Sequence, residues 1–463
     1  MGHFLRKQGG ARFSTKNEIR NYLSARNKGL LLDGYESRLS EQNSFQNTCV
    51  IAGVGAGKTS RYVIPNVLDR ASRKCSIVVN DPKGEIFDYT AGYLQAKGFR
   101  VISIEPEDLA NSDYFNPLLE TRNEKEIEQI AEILIRAGAG QSKDKDIWNQ
   151  GAIRLVSVLL KFLKLASEDK PEYFTLGNLY YLLQNFGDKG VGLDEFILEH
   201  GQKDQRLWNE WLGAISGNKE GVNSFLLNAL TALKAMSNPD LELLTSASSF
   251  NLADIRNQKT AVFIKTPPQY TEYYGFFISI IFRSVFNMCM RNLPSYGTLP
   301  IYCLMDEFGH MTLPNFVSTA NTIRGYKVSL SIILQSLSQL SDRYGEEYAK
   351  SIQGGFKTYL TYAGSDASTR NFFEELSGKT VLHERQDVDD MRTHRQEFNL
   401  MNAGELRTLP EHQAYVVTGN MHPMVLPTLP YFANSKMVRK VKVGYVPEKR
   451  IARSYSTSRV PLN

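Results

Sequence analysis

Two kinds of hydrophobic pattern divide the chain. Short apolar runs of strand length, each closed by polar or turn-forming residues, occur at Cys49–Ala52 and Ser76–Asn80. Such runs read as strands buried on both faces, the pattern of a parallel sheet. Over 46–120 they alternate with helix-like stretches such as Ser60–Ala71. Strand signals return at Ala261–Ile264, from Ile301 and Val328, and near Thr358 and Ala414. From Glu124 to about Asn251 they vanish. There Ile153, Val156, Leu160 and Leu163 fall on a helical period, and Phe196, Leu207, Trp211 and Phe225–Met236 continue the helical character. The pattern predicts an α/β fold whose central, mostly parallel sheet is interrupted once by an all-α insertion.

The loop after the first run carries the clearest chemistry. Gly53, Val54, Gly55, Ala56 and Gly57 precede Lys58, Thr59 and Ser60, and a helix-like stretch follows. Glycines let the backbone curl until several N–H groups point at one anion, and the helix adds its unpaired N-terminal donors. Lys58 would place a charge on the β- and γ-phosphates, and the Thr59 hydroxyl would hold Mg²⁺. The loop departs from the general G-x-x-x-x-G-K-[ST] pattern at its first position, which is Ala52. That residue need not adopt a positive φ.

A hydrolytic site also needs a carboxylate on a neighbouring strand. The run Ile301–Met305 ends in Asp306 and Glu307. Asp306 would orient Mg²⁺, and Glu307 would accept a proton from the attacking water. The pair favours ATP, and the chain has no Asn-Lys-x-Asp guanine-reading motif. Gln335 ends the run from Val328 and sits where open α/β sheets bind ligands, suited to sensing a γ-phosphate or holding a water. Arg324, just before that run, reads either as a solvated loop arginine or as an arginine finger acting on a neighbouring subunit.

Taken in order, these motifs resemble the coupling proteins of type IV secretion systems, the TraG-like conjugative DNA-transfer ATPases. The resemblance rests on Ala52–Thr59, Val79-Asn-Asp-Pro-Lys-Gly-Glu85, Phe115-Asn-Pro-Leu118 and Leu304-Met-Asp-Glu-Phe-Gly309. It continues through Ile323-Arg-Gly-Tyr326, Ile333-Leu-Gln-Ser-Leu-Ser-Gln-Leu340 and Tyr344-Gly345, with weaker matches at Leu376–Thr380 and Glu405–Pro410. It implies a RecA-like P-loop motor, a ring of six with sites at subunit boundaries, and a channel for single- or double-stranded DNA. It carries the finger role onto Arg324 and the sensing role onto Gln335, and makes Asp81 and Lys83 site-lining residues without an assigned step. It also implies relaxase or relaxosome proteins and secretion-channel components as partners. The place of action would be the cytoplasmic face of the bacterial membrane. The expected division is a basic segment (1–30), a nucleotide-binding domain in two parts (31–141 and 253–433), an all-α insertion (142–252) and a basic tail (434–463).

Composition adds limits. The chain has 463 residues, 42% of them hydrophobic, which suits a large core. Four cysteines show no Cys-x-x-Cys spacing and read as buried reduced thiols. No run of 18 apolar residues occurs, so this chain reads as soluble. Family members usually carry an N-terminal anchor. The seven Lys/Arg against one Glu in the first 30 residues fit a segment just inside a membrane helix that lay upstream, or an anchor supplied by another protein. A frayed basic terminus fits as well. The last 30 residues carry eight Lys/Arg against one Glu, while the whole chain is only +5, so 31–433 has a net charge of −8. The basic ends suit DNA phosphates, anionic lipid or plain solvation. Trp148, Trp208 and Trp211 suit helical core packing better than base stacking, and His310 and His422 take no role.

The reading is an ATP-driven coupling protein that receives the DNA-processing complex and feeds a strand to the channel. Its rivals are an FtsK-like translocase on duplex DNA and a substrate-docking adaptor with little ATPase activity.

Overall fold

The apolar runs assemble into one nine-stranded sheet. The computed structural model describes residues 10–139, 146–186, 191–217, 219–385, 393–447 and 455–462. The first nine residues of the basic segment, the 141/142 boundary and residues 448–454 of the basic tail lie outside them.

In chain order the strands are β1 (Thr48–Ile51), β2 (Ser76–Asn80), β3 (Arg100–Ile104), β4 (Thr260–Ile264), β5 (Ile301–Met305), β6 (Val328–Leu334), β7 (Thr358–Thr361), β8 (Lys379–Arg385), β9 (Thr393–Asn399), β10 (Gln413–Thr418) and β11 (Met424–Pro427). The large sheet has the order β11-β10-β7-β1-β6-β5-β2-β4-β3. Every pairing from β7 to β3 is parallel, and β10 and β11 add an antiparallel edge. Strands β8 and β9 form a separate antiparallel ribbon, which the hydrophobic pattern does not signal. Their sequences, KTVLHER and THRQEFN, are too polar to read as buried runs.

Alternation along the parallel strands feeds two cores. Cys49, Ile51 and Val78 face one side, and Val50, Ala52, Ile77 and Val79 face the other. The second side is covered by helices Ile64–Arg70 and Glu85–Ala96. The first packs on helix Gly275–Met290, which is buried almost all round because it lies between the sheet and further helices.

Helices fill the chain between β3 and β4. They begin with Glu124–Ala139, ahead of the expected boundary at 142, and include Asp146–Ala166, Leu176–Gln184, Gln205–Ile215, Lys219–Ala232 and Pro239–Leu244. One hydrophobic core runs without a break from the sheet into them. Trp211 is buried there beside Phe162 and Phe186, whereas Trp148 stands 43% exposed. Residues 10–30 are tied to the body of the protein, the Ala11 N–H donating to the Lys379 carbonyl and the Ser14 N–H to that of Pro423. Helix Lys16–Tyr22 starts with a Thr15/Glu18 capping box, Arg12 pairs with Glu18, and Leu23 and Leu30 are buried. Among the described residues no helix is long and apolar enough to cross a membrane.

Candidate nucleotide site

Four neighbouring parallel strands, β1, β6, β5 and β2, end on one side of the sheet. Ligands of open α/β sheets bind outside such carboxyl ends. A cleft of about 510 Å³ opens there, lined by Gly55, Lys58, Thr59, Ser60, Glu307 and Gln335 among others.

The phosphate-loop glycines are needed for two different reasons. Gly55 and Gly57 have φ of +79°, which a side chain would strain. Gly53 is needed for close approach, since a Cβ there would lie 2.6 Å from the Gly364 carbonyl oxygen. Ala52 continues the strand, and its N–H donates to the Leu334 carbonyl at 3.1 Å. The helix after the loop opens with one π turn, Thr59–Val63, before turning α at Ile64. Such turns often mark functional positions. Val54, at the loop's tip, is 85% exposed.

Lys58 Nζ donates to the carbonyls of Ala52 (2.7 Å) and Gly53 (3.0 Å). Burial lowers its pKa, while the Glu307 and Asp306 charges work the other way. The Thr59 hydroxyl donates to Asp306 Oδ2 at 3.2 Å. Burial pushes the Asp306 carboxyl up to about 6, helped by the neighbouring charge of Glu307. Asn80, at the end of β2, ties the Asp306 carbonyl from the other side at 2.6 Å. Two oxygens of this kind suit Mg²⁺, which takes one or two protein ligands and keeps several waters.

Glu307 sits at φ +53° and ψ +42°, the left-handed region that non-glycine residues rarely occupy. Gln335 Nε2 donates to both of its carboxylate oxygens, at 3.1 and 2.9 Å. Gln335 is held in turn, since its N–H donates to Gln339 Oε1 at 2.9 Å. A Cβ on Gly309 would fall 2.7 Å from Gln339 Cδ, so the glycine makes room for that support.

The other sequence-expected residues separate. Lys83 lines the cleft, with Pro82 and Glu85. Asp81 lies behind it, almost fully buried, accepting the Phe87 N–H at 2.7 Å. Burial raises its pKa to about 7. Arg324 is exposed and precedes β6, so it stands at the amino end of the strand whose carboxyl end carries Gln335.

Pattern reading missed an aromatic wall. Tyr89, Tyr431 and Phe432 line the cleft; the Tyr89 and Tyr431 rings are 5.2 Å apart, and Phe432 is 63% exposed. His310, given no role from sequence, lines it too. The adjacent Tyr431-Phe432 pair was the one available signal, and nothing in its spacing ties it to Lys58.

Three comparisons place this geometry among known proteins. Protein VirD4 of Rhizobium rhizogenes is 24% identical over 428 residues, covering 87% of this chain and 61% of its own length. The chain thus spans about 61% of that relative. The fold is similar to the bacterial conjugative coupling protein TrwBdeltaN70, with a TM-score of 0.75 at 17% identity over 93% of this chain and 94% of that one. It is also similar to the plasmid coupling protein TrwB in complex with ADP and Mg²⁺, with a TM-score of 0.73 at 16% identity over 93% and 96%. These likenesses bear out the RecA-like α/β expectation. A family profile described as "Type IV secretory system Conjugative DNA transfer" matches residues 8–454, and the chain belongs to that family.

Proposed function

We propose that the chain is a Mg²⁺-dependent ATPase motor that couples nucleotide hydrolysis to DNA delivery into a type IV secretion channel. One observation carries the enzymatic part. Glu307, beside Lys58 and the Thr59–Asp306 pair, is held by Gln335 from the next parallel strand. An acceptor carboxylate and its positioning amide thus face the phosphate-loop cleft.

In this reading the loop N–H groups and Lys58 hold the β- and γ-phosphates, while Thr59 and Asp306 hold Mg²⁺, which neutralises phosphate charge when bound. Glu307 takes the proton of the attacking water, and Gln335 keeps it aimed and responds to the γ-phosphate. Lys83 meets the phosphates from the β2 side, and Asp81 holds the turn that presents it. The Tyr431–Phe432 wall offers a stacking surface for a base. Arg324 acts on the neighbouring subunit's nucleotide in a ring of six. The helices between β3 and β4 form the insertion that faces substrate.

Family membership and the relatives' names support DNA as the cargo, and with it relaxosome proteins and channel components as partners at the cytoplasmic face of the membrane. The test is ATP hydrolysis against protein concentration, with and without single-stranded DNA. Hydrolysis should rise with assembly and with DNA. A well-folded chain that neither binds nor hydrolyses ATP at any concentration would refute the reading.

A further inference from the structure

The basic residues of 434–463 suit a solvated tail, yet Tyr455–Leu462 lies in a groove of the helical region. Asn178, fully buried on helix Leu176–Gln184, reads the segment's backbone. Its Nδ2 donates to the Ser458 carbonyl at 2.8 Å, and its Oδ1 accepts the Val460 N–H at 3.3 Å. The second Nδ2 hydrogen goes to the Tyr173 carbonyl at 3.0 Å. Val460 is 1% exposed and joins the main core, with Leu462 packed against it. Between these anchors the Arg459 guanidinium donates to Glu242 Oε2 at 2.9 Å, forms an ion pair with Oε1 at 2.6 Å, and lies 5.2 Å over the Tyr181 ring. The Tyr455 ring packs at a tilt against Tyr114, with centroids 4.4 Å apart. Gly177 leaves Glu242 its place, since a Cβ there would come within 2.7 Å of Glu242 Cγ.

A backbone reader, an apolar pocket and an acidic–aromatic clamp for one arginine are the parts of a peptide-recognition site. We infer that this groove binds an extended peptide carrying an arginine followed by a branched apolar residue, and that segment 455–462 fills it as an internal ligand. The buried Asn178 amide gives the site its demand for a peptide backbone. Without one, an N–H and a carbonyl oxygen lose their partners in a place water reaches poorly. A tethered occupant competes at an effective concentration on the order of millimolar, so a partner peptide gains entry when the segment is drawn away or outcompeted. None of these residues lines the nucleotide cleft, so the inference stands apart from the ATPase reading.

The test uses the full chain and a labelled peptide of residues 455–462. The chain carrying Arg459→Glu and Val460→Asp should bind the peptide at least about tenfold more tightly than the unmodified chain, whose own segment competes. Peptides with Arg459→Ala or Val460→Ala should lose most of that binding. Adding Glu242→Arg to a chain released instead by Arg459→Ala and Val460→Asp should abolish binding of the unmodified peptide and favour a peptide with Arg459→Glu. In the unmodified chain, millimolar isotopically labelled peptide should speed hydrogen exchange in the chain's own 455–462. A released chain with an unchanged unfolding midpoint that binds no peptide would overturn the proposal, as would equal binding by released and unmodified chains. If the released chain does not fold, the exchange experiment decides alone, and unchanged exchange overturns it.

Discussion

Arg324→Ala separates a finger from a loop arginine, and the fold sets what the test must look like. Arg324 precedes Val328, and the cleft lies beyond Leu334. Seven residues of strand at roughly 3.3 Å each put about 20 Å between the two ends of β6. No side chain crosses that distance, so Arg324 cannot reach the nucleotide of its own subunit. If it stabilises transition-state charge, it does so on a neighbour. Loss of such a finger costs on the order of 10³–10⁵ in rate with little loss of nucleotide affinity. Arg324→Ala should therefore bind ATP nearly normally and hydrolyse it at background.

The decisive assay mixes subunits. Arg324→Ala chains keep Lys58, and Lys58→Ala chains keep Arg324. In a head-to-tail ring assembled at random from equal amounts, about one boundary in four joins an intact site to an intact finger. Steady-state hydrolysis should recover to roughly a quarter of the wild-type rate if boundaries work independently, and neither variant alone should show it. Mixed rings without recovery refute action in trans. Full activity of Arg324→Ala alone makes the residue an ordinary surface arginine.

Three further outcomes are expected. Lys58→Ala should abolish hydrolysis and weaken nucleotide binding, measured with a fluorescent ATP analogue; near-normal turnover would sink the site assignment. Glu307→Gln should still bind ATP but hydrolyse it about 10²–10⁴ times more slowly, since an amide cannot take the water's proton; loss of binding as well would point to a structural role. Asp81→Asn should change how stability depends on pH. The Asp81 pKa rises from 3.8 to about 7 on folding, so its stabilising contribution is complete below about pH 4 and is lost as pH rises through 7. The variant should gain on the wild type between about pH 4 and pH 7, with a ceiling of about 4 kcal/mol and a realistic gain of about half that. Thermal unfolding without Mg²⁺ checks this, and a gap that does not change with pH would refute it.

Much of the site was legible because its parts are contiguous or end an apolar run. The loop Gly53–Ser60 carries its own strand, glycines and helix, and Asp306–Glu307 close a run that only a buried strand explains. What stayed hidden depends on which strands become neighbours. Gln335 and Glu307 are 28 residues apart, and their bond exists because β6 inserts between β1 and β5. Periodicity predicts a parallel sheet but not its strand order. The Tyr431–Phe432 wall and the Asn178 groove are longer-range still, the second joining positions 280 residues apart. The sequences of ribbon β8–β9 are too polar to be read as buried strands.

The strand order also sets how the site can respond to its ligand. β1, β6, β5 and β2 end side by side, so the residues on Lys58, Gln335, Glu307, Asp306 and Asn80 form one connected row. Each already has a protein partner. Lys58 holds two carbonyls of its own loop, Thr59 holds Asp306, and Gln335 holds Glu307. A phosphate drawing on Lys58 competes with the Ala52 carbonyl, at the end of β1. In the proposed reading, a cation held by Thr59 and Asp306 would replace a hydrogen bond and favour the ionised carboxylate that burial disfavours. A γ-phosphate within reach of Gln335 competes with Glu307 for the same amide. In the proposed reading one ligand would thus exchange partners on several adjacent strands at once. Beyond Gln335, helix Ser338–Tyr344 follows directly, and Arg343 Nε returns to the Gly309 carbonyl beside the Glu307 turn. A change in the Gln335–Glu307 pair therefore bears on both ends of that closed loop of contacts. In the proposed reading, that is the local element through which the state of the nucleotide would be felt outside the cleft.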